Sequence, residues 1–143
     1  MNQPMIITDM YLVADLQDYG RPYVSLFIDK GRDLLYLFVR ILEGNSVQSY
    51  LFTGVSPQEI QEYMNGHKNL RALFYGKDMS IGSFDGGILT ARAFEGNGSV
   101  LPIIDHDTFD PEFCHDKLKV KVFLKRFNAG LQPGKFQTIA TAN

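Results

Sequence analysis

Residues 34–42 read Leu-Leu-Tyr-Leu-Phe-Val-Arg-Ile-Leu, the most apolar run of the chain. In an extended backbone Leu35, Leu37, Val39 and Ile41 share one face, while Leu34, Tyr36, Phe38 and Leu42 share the other. A strand apolar on both sides belongs inside a sheet. A helix would cover one face and another element, or another subunit, the second.

Around this run the pattern alternates between short apolar stretches and turn residues. Residues 10–15 form one stretch, closed by Asp18, Gly20 and Pro22. A strand over 23–29 follows, and Lys30-Gly31-Arg32-Asp33 makes a hairpin turn into 34–42. Glu43 to Ser46 supply the next turn, and 47–53 the next strand. At Ser56-Pro57-Gln58-Glu59 the period changes. Ser at the N-cap, Pro at the first helical position and Glu three residues after Ser make a capping box, so a helix starts here. Ile60, Tyr63 and Met64 recur at helical spacing, and Asn65-Gly66 ends the element. A second short helix is expected over 68–75, stopped by Gly76. Strands resume over 79–84 and 88–94 around Asp85-Gly86-Gly87, and 95–99 are turn-forming. Residues 102–116 are irregular, with one helical turn near 109–113.

The next regular segment, 117–125, reads Lys-Leu-Lys-Val-Lys-Val-Phe-Leu-Lys. Strict alternation predicts a strand, with Leu118, Val120, Val122 and Leu124 facing the core and Lys119, Lys121 and Lys125 facing outward. The fold expected is therefore α+β: a mostly antiparallel sheet packed against one or two short helices. A single domain spans 1–128, and 129–143, rich in small and turn residues, is expected to be a flexible extension.

The 143 residues are 45% hydrophobic and 21% charged, ordinary globular usage that excludes disordered and fibrous classes. One cysteine cannot form an internal disulfide. With no signal-type leader and no membrane-length apolar run, a cytoplasmic protein is expected. The net charge of −2 hides an asymmetry: six basic residues and one acid from Asp116 onward give +5, leaving −7 on the rest. Such a basic end suits an acidic protein or a nucleic acid, or an acidic neighbour within the same fold.

From Tyr19 to Phe74 a series of features recurs in order: the turn Tyr19-Gly20-Arg21-Pro22, then Asp29-Lys30-Gly31, a Leu-Tyr-Leu strand, Tyr50-Leu51-Phe52, Val55-Ser56 opening a helix, Gly66, and Leu70-Arg71. The series resembles a family of small bacterial domains of unknown function over roughly the first half of the chain. The resemblance implies a bacterial or phage setting and an α+β fold. It carries no functional residue across, and the Lys-rich segment and the expanded 34–45 region depart from it.

Chemistry-bearing residues gather at 105–116: Asp105, His106, Asp107, Asp110, Cys114, His115 and Asp116. Carboxylate and imidazole donors suit a divalent metal, with Asp105, His106, Asp107 and His115 as candidate ligands. Their spacing matches no zinc or calcium loop, and acids in irregular segments commonly cap turns. Cys114 beside His115 invites a nucleophile reading. A packed thiol is the simpler account, since sequence neighbours rarely form a catalytic pair. His67 follows Asn65-Gly66 where a cation complements helix-terminal carbonyls.

The reading that follows is a non-catalytic protein–protein interaction module, inhibitor-, antitoxin- or immunity-like, needing no cofactor. Its partner-binding residues are Lys119, Lys121, Lys125, Arg126 and Phe123 on the basic segment. Tyr36 and Phe38 on the apolar sheet face would serve self-association as a homodimer. One rival is nucleic-acid binding, with the lysines tracking phosphates and Phe123 and Phe127 stacking on bases. Another is a metal-dependent enzyme built on the 105–116 cluster.

Overall fold

The computed structural model describes residues 4–41, 49–94, 104 and 106–128. The turns proposed at 43–46 and 95–99, the strand start at 47–48, Asp105 and the extension 129–143 lie outside them. Strands β1 (Met5–Ile7), β2 (Met10–Asp18), β3 (Pro22–Asp29), β4 (Leu34–Ile41), β5 (Ser49–Val55), β6 (Ser80–Asp85) and β7 (Ile88–Ala93) form one antiparallel sheet. Helices α1 (Pro57–Met64), α2 (Leu70–Phe74) and α3 (Lys117–Asn128), with a 3-10 turn at Pro111–Phe113, complete an α+β fold.

The strand order is β1-β7-β6-β5-β4-β3-β2, so two strands consecutive in the chain occupy opposite edges of the sheet. Only Thr8 and Asp9 separate them, and three peptide steps reach at most about 11 Å. A flat seven-stranded sheet would hold its edge strands about 29 Å apart. The sheet therefore curls until its edges meet, as a partly closed barrel. The Lys30 amide donates to the Asp9 carbonyl at 3.0 Å and ties the β1–β2 bend to the β3–β4 turn.

Curling gives the sheet an inside. Phe38, Phe52, Leu89 and Ala91 are buried there, with Ile7, Met10, Phe27, Tyr36, Tyr50 and Phe84 packed around them. Small residues make room where strands crowd. Gly82 on β6 pairs with Tyr50 and Ala91, and a Cβ at Gly82 would sit 2.7 Å from the Thr90 carbonyl oxygen. The β6–β7 hairpin turns through Gly86 and Gly87, both at positive φ (59° and 84°), as a two-residue turn matched to strand twist demands.

The outside of β2–β5 carries the larger core. Leu16, Val24, Leu26, Leu37, Val39 and Leu51 meet Ile60 and Tyr63 of α1, Leu70, Leu73 and Phe74 of α2, and Val120, Phe123 and Leu124 of α3. The capping box forms as the sequence predicts: Ser56 Oγ accepts from the Glu59 amide, and Glu59 Oε1 accepts from the Ser56 amide.

Two expectations are overturned. Residues 117–125 are helical, not a strand. The helical stripe Val120, Phe123, Leu124 and Phe127 buries two phenyl rings that the strand pattern would leave on its lysine face, and aromatic burial is worth more than that of Leu118 and Val122. Leu118 is accordingly 75% exposed and Val122 44%. Lys125 and Arg126 in the last turn complement the helix dipole. The second correction concerns Phe38, which is fully buried inside the barrel. The sheet's own far limb covers that face, so Phe38 offers no surface to a second subunit.

Candidate functional site

Helix α3 presents the basic segment differently from an edge strand. Its inner face is anchored by Val120, Phe123 and Leu124, all nearly inaccessible to solvent. At 100° per residue, Leu118 and Val122 lie one turn apart on the opposite ridge. Lys121 and Lys125 flank that ridge on one side, Lys119 and Arg126 on the other, with Lys117 in the first turn. All five cations are exposed. None has an ion-pair partner among the described residues. Lys119 lies near enough to Asp15 on β2 to favour its charge, but burial dominates there and raises the Asp15 carboxyl above its ordinary range. The helix thus combines an apolar ridge with a basic rim.

The sequence-based site residues divide accordingly. Lys119, Lys121, Lys125 and Arg126 share the outer surface of α3, while Phe123, 1% exposed, turns into the core and stacks on Phe127 at 5.9 Å. Tyr36 is half-buried on the inward face of β4, packed against the Phe38 and Phe52 cluster. The residues proposed for protein contact therefore do not form one patch.

The 105–116 residues take separate structural roles. Asp107 Oδ1 accepts the Arg71 amide at 2.9 Å and its carbonyl accepts the Leu70 amide, which caps the start of α2. The His106 ring stacks on Tyr19 at 4.3 Å. Asp110 Oδ1 accepts the Glu112 amide and caps the 3-10 turn. His115 is exposed. Among the described residues no three His, Cys, Asp or Glu side chains come together as metal ligands. Cys114 is 4% exposed in the main core, and burial pushes its thiol above the usual range, the opposite of an activated nucleophile.

Gln17, which carries no signal in the sequence, proves central to this region. The register shifts on either side of it in β2 turn its side chain fully inward. Its Nε2 donates to the carbonyls of Leu16 (2.7 Å) and Asp110 (2.8 Å), and its Oε1 accepts from the Asp110 amide (2.8 Å) and the Tyr19 hydroxyl (3.1 Å). All four hydrogen-bonding positions of the amide are filled. This side chain ties the segment before α3 to β2.

No family model, curated protein or solved structure matches the chain. Among the described residues no helix is long and apolar enough to cross a membrane.

Proposed function

We propose that the protein is a non-catalytic docking module, of the inhibitor, antitoxin or immunity kind and of bacterial or phage setting, that presents α3 to an acidic protein. One observation carries the reading: Leu118 and Val122 stand exposed one helical turn apart, surrounded by five cations without ion-pair partners among the described residues. Exposed apolar residues at that spacing, rimmed by charge, are the anchors of helix-in-groove recognition. The cations steer an acidic partner and fix its register. Nucleic-acid binding draws support from the same cations, but Phe123 faces the core and supplies no stacking surface, which favours protein.

Photo-crosslinking in the source cell tests the reading. A benzophenone side chain at Leu118 should trap one acidic protein that the same group at Ile88, exposed on β7, does not. Binding of that purified protein should weaken with salt and fall at least tenfold for Lys121→Glu/Lys125→Glu. Identical adducts at both positions, or capture abolished by nuclease, would overturn it.

A further inference from the structure

At the β1–β2 bend the barrel opens into a cavity of about 520 Å³ to which β1, β2, β3, β4, β5 and β6 all contribute side chains. We propose that this mouth is a binding site for a small amphipathic amine, with its apolar body inside the barrel and its ammonium group at Asp29. The walls are apolar where the body would lie: Ile7 and Met10 come from the two sides of the bend and Phe52 from β5. Barrel mouths are recurrent ligand sites because converging strands enclose a volume that their own side chains do not fill.

The polar groups select a cation. Asp29 lies at the end of β3, and its side chain is only 10% exposed. Oδ1 accepts the Gly31 amide at 2.9 Å, while Oδ2, among the described residues, has only the Arg32 Nε at 3.6 Å, beyond a good hydrogen bond. Arg32 is itself 69% exposed and stands at the rim, so it can swing clear of an incoming ligand. A second carboxylate deepens the negative potential: a Cβ placed on Gly31 would lie 3.2 Å from Asp9 Oδ2 and 3.3 Å from Asp29 Oδ1, so the two carboxylates flank the same backbone position. Tyr36 sits one diagonal step from Asp29 across the β3–β4 ladder, lining the same cavity. Carboxylate and aromatic ring together make the usual recognition pair for an ammonium group. Tyr36 and Ser80 also line the wall, and among the described residues their hydroxyls make no hydrogen bond.

The test uses the full chain, labelled with nitrogen-15, and 2-phenylethylamine, with 2-phenylethanol and phenylacetate as neutral and anionic counterparts. The amine should give saturable amide shifts confined to the β1–β2 bend and the Asp29 to Arg32 turn, with the two counterparts binding at least tenfold more weakly. Asp29→Asn should lose at least tenfold in amine affinity. Met5→Trp, at a half-exposed rim position, should plug the mouth while leaving Asp29 in place, so it decides the matter if Asp29→Asn fails to fold. Absence of saturable shifts with the amine, equal binding of the three probes, or amine binding unchanged in Met5→Trp or in a folded Asp29→Asn overturns the proposal.

Discussion

The rings of Phe27 and Phe84 stack 5.4 Å apart at an interplanar angle of 18°, although two strands separate β3 from β6 in the sheet. In a flat sheet those strands would lie about 14 Å apart. The contact exists only because the sheet curls, so its energy measures the curl. A double-mutant cycle of Phe27→Ala and Phe84→Ala should show a coupling of about 0.5–1.5 kcal/mol in urea unfolding. Strict additivity of the two losses would mean that the rings do not meet and that the sheet is open.

The same contact explains how far the sequence could be read. The turn residues and the capping box at Ser56 are local signals, and the strands and helices they bound formed within a few residues of expectation. The doubly apolar pattern of β4 also correctly required two covers. Which element supplied the second was not legible, because curling depends on the β1–β7 and β5–β6 pairings between residues far apart in sequence. β1 itself, only three residues long, gives no periodicity to read. At α3 two periods coexist in one segment. Leu118, Val120, Val122 and Leu124 satisfy the strand template, while Val120, Phe123, Leu124 and Phe127 satisfy the helix. Tertiary packing decided between them through the two phenylalanines.

Gly82 marks a point where curling needs a missing side chain. A methyl group there would press on backbone, the Thr90 carbonyl oxygen at 2.7 Å and the Ala91 Cα at 3.1 Å, neither of which can rotate away. Gly82→Ala should therefore destabilise the fold by about 1–3 kcal/mol, an overpacking cost, despite the lower chain entropy of alanine when unfolded. Thermal unfolding reads this directly, and an unchanged or raised midpoint would show that β6 and β7 are not held this closely.

Glu59 links the start of α1 to pH. Burial disfavours its charge, but the Lys77 ammonium at 2.7 Å and the Ser56 amide outweigh this and hold the carboxyl below its ordinary range. A carboxyl with a lowered native pKa binds its proton less readily folded than unfolded. Its contribution is therefore complete above the ordinary value of about 4.3 and is lost as pH falls through the lowered native value. Glu59→Gln should cost about 0.5–1.5 kcal/mol at pH 7, and the gap from the parent protein should close in acid. Urea titrations across the acid range would show this, and a gap that persists at the lowest pH would assign the effect to shape instead of charge.

Tyr63 carries a defect of the opposite kind. Its ring packs edge-on against Phe109 at 5.2 Å, yet its hydroxyl is buried without a hydrogen-bond partner among the described residues. Burial raises the phenol far above the usual tyrosine range. An orphaned hydroxyl costs stability, so Tyr63→Phe should leave the fold as stable or raise it by about 1 kcal/mol. A loss of that size would instead reveal a hidden acceptor, such as a buried water.

The assignment of faces on α3 separates the core from the proposed docking ridge. If Leu118 and Val122 serve a partner, the isolated fold does not need them, and Leu118→Asp or Val122→Asp should change stability by no more than about 0.5 kcal/mol. Phe123→Ala removes a ring that is 1% exposed and should cost about 3–5 kcal/mol. A strand over 117–125 demands the reverse, with Leu118 and Val122 indispensable and Phe123 dispensable. Urea unfolding of the three variants therefore tests the helix before any partner is known. Binding then has to follow the opposite order: the aspartate variants, still folded, should lose the partner, because a carboxylate on the ridge removes an apolar anchor and repels the acidic surface that the lysines attract.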